Sequence, residues 1–194
     1  MDWRSLMLGF PRRGLSFLRR FACERRGAAA VEFAIIATPF FMLLLGVVEL
    51  GMLFMASTTL DAATFNASRE IRTGQLQLYG TNTAAGFKSV VCANMSWLSA
   101  SDCSANVVVD VRTFATFSSI SVTPPITNGA LDPSKTSFDS GTSCSIVLVR
   151  VFYPYTLLAP LLEPGMPNLG ATQRLVTSSA AFRNEDFAGI TPCS

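Results

Sequence analysis

Residues 31–56, VEFAIIATPFFMLLLGVVELGMLFMA, restrict this chain more than any other stretch: of 26 positions only Glu32 and Glu49 carry charge. As an α-helix rising ~1.5 Å per residue, they reach about 39 Å, longer than the ~30 Å hydrocarbon core of a bilayer. Burying such a helix inside a soluble protein needs more chain than 194 residues supply. Charged residues make up 14% of the sequence, against roughly 25% in soluble domains, so part of the chain is expected outside water. The reading is a membrane-spanning helix.

Charge then orients the span. Residues 1–27 hold seven arginines against Asp2 and Glu24, and the rest of the chain is net acidic. Basic residues flanking one end of a span keep that end in the cytoplasm, so the N-terminus is expected inside and the C-terminus outside. Arg12, Arg13, Arg19 and Arg20 alternate with apolar pairs, so residues 14–23 suit a short amphipathic helix on a membrane surface. An ordinary secretory signal has a shorter charged region, an apolar run of roughly 7–15 residues and a small-residue cleavage site after it, which this segment lacks. With the basic excess confined to the leader, the remainder offers no nucleic-acid surface.

Beyond the span, Leu60, Ala63, Ala67 and Ile71 keep near-helical spacing, and Gly74 is a stop signal. One helix over 28–73 is expected. Its outer half is amphipathic and needs a surface to lie on. Pro39 removes a backbone bond inside the span and predicts a kink, with the Thr38 hydroxyl available to the loosened turn. Glu32 either reaches the cytoplasmic interface or has a function, because a carboxylate in an apolar span is costly. Glu49 is expected either at the outer interface or paired with a partner subunit.

Residues 74–194 read as a small exported domain made mainly of strands. A short helix is expected over 83–98. In 106–114, Val107, Val109 and Val111 alternate with Val108, Asp110 and Arg112, the period of a strand. Residues 116–122 suggest a weaker strand, 144–155 the strongest, and 171–184 a closing one, with a turn-rich loop between the second and third. Residues 156–170 are apolar but broken by prolines, and serve as a cover for the sheet or a partner patch. The fold class expected is α+β: a long N-terminal transmembrane helix whose outer half packs on a small antiparallel sheet.

Four cysteines, Cys92, Cys103, Cys144 and Cys193, follow the span, and Cys23 precedes it. An even number beyond a membrane points to two disulfides in an oxidising compartment, the alternative being four buried thiols. Of three connectivities, Cys92 with Cys103 and Cys144 with Cys193 is preferred: the first closes a short loop and the second ties the central strand to the tail. There is no histidine, no CxxC spacing, no phosphate-binding glycine loop and no nucleophile elbow. Asp110, Glu163, Glu185 and Asp186 stand apart in sequence and are expected in solvent. Neither a metal nor a cofactor is implied, and the chain is not expected to be an enzyme.

The junction RG-AAAVEF resembles the prepilin processing site of type IVb pilins of the Flp/Tad kind. Those are cut after the glycine, with glutamate as the fifth mature residue and an aromatic, usually tyrosine, as the sixth. Gly27, Ala28, Glu32 and Phe33 take these places, phenylalanine standing for tyrosine. The run from Gly27 to Gly74 is similar to TadE-like pseudopilins or minor pilins, which place a proline early in the span, a glutamate near its outer end and an Ala-Arg-Thr-Gly ending. Ala67, Arg69, Thr73 and Gly74 fit that ending. Near the C-terminus, ATQRLVTSSAAFRNEDF is similar to the family's closing strand, which often ends Arg-Asn-Glu-Pro; Asp186 replaces the proline.

The resemblance implies a pseudopilin or minor pilin acting in assembly of a Tad (Flp, type IVb) pilus, cut by a prepilin peptidase after Gly27. Its partners would be that peptidase, other pilins or pseudopilins, the inner-membrane assembly machinery and membrane lipid. Its place would be the bacterial inner membrane, single-pass, with residues 1–27 cytoplasmic and 74–194 periplasmic, or the surface pilus. The alternative is an uncleaved single-pass envelope protein whose periplasmic domain binds a ligand or partner.

Overall fold

The structure is a computed structural model that describes residues 25–96, 98–121, 123–158, 165–189 and 193. The basic leader up to residue 24, with its expected amphipathic helix, Cys23, and Glu163 lie outside the described residues. By compactness the chain divides into two units, Met1–Leu45 and Gly46–Ser194.

Helix α1 covers Arg25–Arg72, close to the expected 28–73. Within the first unit it is unbroken at Pro39, where Thr38 Oγ1 donates to Ala34 O at 2.7 Å. Proline leaves the Ile35 carbonyl without its amide, and the Thr38 bond falls one carbonyl earlier. The window Ala29–Arg72 is long and apolar enough to cross a membrane, and its most apolar stretch has no buried residues. Val31, Phe33, Ile36, Leu43, Val47 and Phe54 are 60–71% exposed. An apolar surface of that extent belongs against lipid or protein.

In the second unit α1 presents Ala56, Leu60, Ala63, Ala67 and Ile71, spaced three or four apart and all at most 1% exposed. Three of the five are alanines, which bring the helix close to what it covers. Arg69 and Arg72 occupy the last turn, where cations face the negative end of the helix dipole. Gly74 ends the helical run at φ 76°, a left-handed conformation glycine takes without a steric penalty.

The sheet is antiparallel in the order β1-β4-β5: Val108–Phe114, Ile146–Thr156 and Gln173–Arg183. Val111 faces Val149 across the first pair, and Val151 faces Ser178 across the second. Val109, Val111, Val147, Val149 and Val151 join the buried face of α1 in one core. The expected alternation in β1 thus holds, and β4 is buried on both faces from Ile146 to Phe152. Pro154 sits in the central strand because β1 pairs with β4 only as far as Phe152. Its missing N–H falls where β4 has no neighbour.

Short elements frame the sheet. After the four-residue α2, Gln75–Leu78, comes α3, Ala84–Ala93, whose Phe87 and Val91 are fully buried. It occupies the first part of the helix expected over 83–98. α4, Ala100–Asn106, was not expected; Ser99 caps it by accepting from Asp102 N at 3.1 Å. The weak strand expected over 116–122 is absent among the described residues of that stretch. In its place a 3-10 turn, Phe117–Ser119, is closed by reciprocal bonds between Thr116 and Ser119. The turn-rich loop holds a hairpin, β2 Ile126–Thr127 with β3 Ala130–Leu131, on an Asn128-Gly129 turn with both φ positive.

Candidate functional site: the long helix and its junctions

The residues singled out by the sequence fall at separate places along α1. At its start, Gly27 lies inside helical structure, and a Cβ added there would meet nothing within 4 Å. Close packing therefore does not require glycine at this position. Ala28 lies in the same turn. Glu32 and Phe33 are exposed, Phe33 by 70%, and among the described residues Glu32 has no ion-pair partner. After Gly27 the helix presents the exposed Ala29 and Ala30, then the Glu32 carboxylate and the Phe33 ring.

Glu49 is held within the chain itself. It is 1% exposed, and its Oε2 accepts from Leu158 N at 2.9 Å. The other oxygen, Oε1, has no partner at hydrogen-bonding geometry, although Tyr155 lies near enough to feel the charge. Burial, and after it the Glu49 charge, pushes the Tyr155 phenol above its ordinary value. Glu49 thus fastens the chain leaving β4 to the helix. The attachment joins residues 109 positions apart, and no spacing in the sequence announces it.

The two segments that carry the resemblance meet in space. At the end of α1, Arg72 Nη2 lies 3.1 Å from Glu185 Oε1, and Glu185 N donates to Arg72 O at 2.9 Å. Gly74 faces Phe187 so closely that a Cβ there would come within 2.2 Å of the ring carbon Cγ. Asn184, 1% exposed, donates from Nδ2 to Ser140 O and Thr142 O, both at 2.9 Å. The Arg-Asn-Glu sequence after the closing strand therefore ties that strand to the helix terminus and to the loop before β4. Both ionic side chains of the Arg72–Glu185 pair are about half exposed, so its charge adds little; the backbone bond and the glycine contact define the junction.

Asp110, expected in solvent, is 0% exposed. Its Oδ1 accepts from Arg112 Nε at 2.9 Å and Ser137 N at 2.8 Å. Its Oδ2 accepts from Arg150 Nε at 3.0 Å and Nη2 at 2.5 Å. Arg150 is itself 5% exposed, donates to Thr123 O and lies 5.5 Å from the Phe152 ring. Burial raises the Asp110 carboxyl, but the bonds from Ser137, Arg150 and Arg112 and the Arg150 charge outweigh it and hold the group below the ordinary aspartate value. The outer face of the sheet is covered by residues 123–137, which hide a carboxylate that β1 periodicity alone would leave wet. Of the other carboxylates, Glu185 pairs with Arg72, and Asp186 Oδ1 accepts from Gly189 N.

The cysteines join as preferred: Cys92 with Cys103, linking α3 to α4, and Cys144 with Cys193, linking the loop before β4 to the tail.

Residues 27–69 match the family model of TadE-like proteins. The match begins at Gly27 and covers most of the helical run that carried the resemblance, stopping short of Thr73 and Gly74 and not reaching the closing strand. No curated protein and no solved structure matches the chain. The match, confined to the long helix, suggests a role related to Tad pili as a minor pilin, with other pilins and assembly machinery as partners. A membrane-anchored, pilin-like protein agrees with the apolar helix.

Proposed function

We propose that this chain is a TadE-like pseudopilin or minor pilin of a Tad (type IVb) pilus system, cut by a prepilin peptidase after Gly27. The observation that carries the reading is the family match beginning at Gly27 and continuing into a helix whose apolar surface is open to its surroundings. A glycine that packing does not require supports a role in recognition by a peptidase. Cleavage removes the arginine-rich leader and frees the amine of Ala28.

In an assembly of such helices, Glu32 pairs with the new amine of a neighbour. Burying that pair fixes axial register more than it adds stability. The small residues 28–30 let neighbouring helices approach. Phe33 fills the aromatic place of the processing site, and Pro39 supplies a bend point within the span. The leader lies in the cytoplasm, the span in the inner membrane and the disulfide-bonded domain in the periplasm, where oxidising conditions sustain both bridges.

The test is the mature N-terminus, read by mass spectrometry of protein extracted from membranes of cells that carry the cognate peptidase. A chain beginning at Ala28 is expected, with Gly27→Ala left uncut and Glu32→Ala cut but unassembled. An intact leader in the native sequence refutes processing. Unchanged membrane behaviour in both variants would favour the uncleaved envelope protein.

A further inference from the structure

β5 is an edge strand of 11 residues whose ladder, among the described residues, is formed with β4, apart from one isolated bridge between Gln173 and Leu169. Its odd-numbered residues turn their backbone groups away from β4. At one end Leu175 N donates to Asn168 Oδ1, and Gln173 O accepts from Asn168 N and Leu169 N. At the other, Glu185 N is taken by Arg72 O. Between these closed ends the outward N–H and C=O groups of Thr177, Ser179 and Ala181 have no partner among the described residues. A strand edge of this kind is a template for another strand.

The seam between this edge and α1 has further features. Two concavities open along it. One, of about 350 Å³, is lined by Leu50, Leu53, Phe54, Arg174, Leu175 and Val176 among others. The second, of about 320 Å³, is lined by Phe65, Ser68, Arg69, Arg72 and the 180–182 stretch of β5. Their charged lining residues are all arginines. Val176 and Ala180, one at each concavity, lie about 13 Å apart along the strand. Two buried hydroxyls on the seam have no hydrogen-bond partner: Ser68 Oγ, in the second concavity, and Ser178 Oγ, between the two. Buried hydroxyls left unbonded are uncommon and costly.

We propose that the open edge of β5 and the adjoining face of α1 receive a β-strand from another protein. The incoming segment carries two apolar side chains four residues apart on the face toward α1, a small hydroxyl residue between them, and carboxylates at its ends. The apolar pair fills the two concavities, the central hydroxyl meets Ser178, and the carboxylates meet Arg174 at one end and Arg69 or Arg72 at the other. Backbone bonds to 177, 179 and 181 supply affinity, and the side-chain pattern supplies selectivity. A second copy is a poorer occupant, because edge-to-edge pairing brings two arginine-rimmed seams together. The proposal does not depend on processing at Gly27.

The test uses the full chain in neutral detergent micelles and a capped nonapeptide, Glu-Thr-Leu-Thr-Ser-Thr-Leu-Thr-Glu, whose glutamates, leucines and serine share one face. Amide hydrogen exchange at Thr177, Ser179 and Ala181 is expected to slow about tenfold or more at saturation, while Ser178 and Ala180, already bonded to β4, stay unchanged. Ser179→Pro removes an outward donor at a position where an edge strand tolerates proline, and should abolish the protection without loss of near-UV circular dichroism. Arg174→Glu, which leaves the backbone untouched, should weaken the peptide about tenfold. A lysine-ended peptide of the same core should give no protection. The proposal is overturned by unaltered exchange at about 1 mM peptide, by equal protection from the lysine-ended peptide, or by concentration-dependent protection of the chain alone.

Discussion

Replacing Asp110 with alanine should be the most damaging single change to the second unit. The carboxylate receives four hydrogen bonds, from Ser137 N, Arg112 Nε and two nitrogens of Arg150. Arg112 is 40% exposed in its side chain, so its share is small, under about 1 kcal/mol. Arg150 decides the magnitude. Its guanidinium is buried, and without Asp110 it keeps, among the described residues, only the Thr123 carbonyl and the Phe152 ring. Leaving a buried charge without its counter-ion costs about 3–5 kcal/mol. For a unit of this size, that lowers the melting temperature by roughly 10–15 °C. The assay is thermal unfolding of the full chain in micelles, followed by near-UV circular dichroism. Replacing both partners by apolar residues, Asp110→Leu with Arg150→Met, should recover more than half of the loss, because no lone charge then stays buried. A fall of under about 1 kcal/mol for Asp110→Ala would falsify the reasoning. The pH dependence carries the same sign. Asp110 titrates lower in the folded state than in the unfolded one, so its contribution is complete above the unfolded value, near 4, and is lost as pH falls through the folded value. Melting temperature should decline below about pH 4 in the native chain, and less steeply in Asp110→Ala.

Other changes probe the junctions. Gly74→Ala forces a side chain onto φ 76° and into Phe187, and should cost roughly 2–3 kcal/mol in the same melt; Phe187→Ala relieves the clash but not the backbone strain. Glu49→Ala removes the acceptor of Leu158 N and should cost about 1–3 kcal/mol, whereas Glu49→Gln keeps an acceptor and should cost less, which exchange at the Leu158 amide would register. Removing Cys144–Cys193, which spans 49 positions, should cost about 4 kcal/mol, and removing Cys92–Cys103, which spans 11, about 3 kcal/mol, each measured by denaturant unfolding of the paired serine variant.

Residues whose role is set by their neighbours in sequence were legible. Leu60, Ala63, Ala67 and Ile71 mark a helical stripe, and that stripe is buried. Val107, Val109 and Val111 mark the inner face of a strand, and they are buried as well. Elements decided by few local bonds were misread. α4 depends on a Ser99 cap in a polar run without apolar periodicity. The 116–122 stretch has strand-like residues, but Thr116 and Ser119 close a 3-10 turn there. The Asn128-Gly129 pair is a hairpin signal, but it sits within a loop so rich in turn residues that it does not stand out from them.

The apolar run, the arginines before it and the spacing of Gly27, Glu32 and Phe33 are local properties. Hydrophobicity and helical period act along the chain, so the sequence by itself determines a membrane-length helix and the resemblance of its start to a processing site. Burial of a polar side chain is set by what the fold brings over it. Asp110 and Arg112 lie on the outer face of β1, and only residues 123–137, folded across that face, bury Asp110 between Arg150 and a half-exposed Arg112. Glu49 waits on Leu158, and Arg72 and Gly74 wait on Glu185 and Phe187. These contacts join positions more than a hundred residues apart, where no periodicity reaches, and only the tertiary structure decides them.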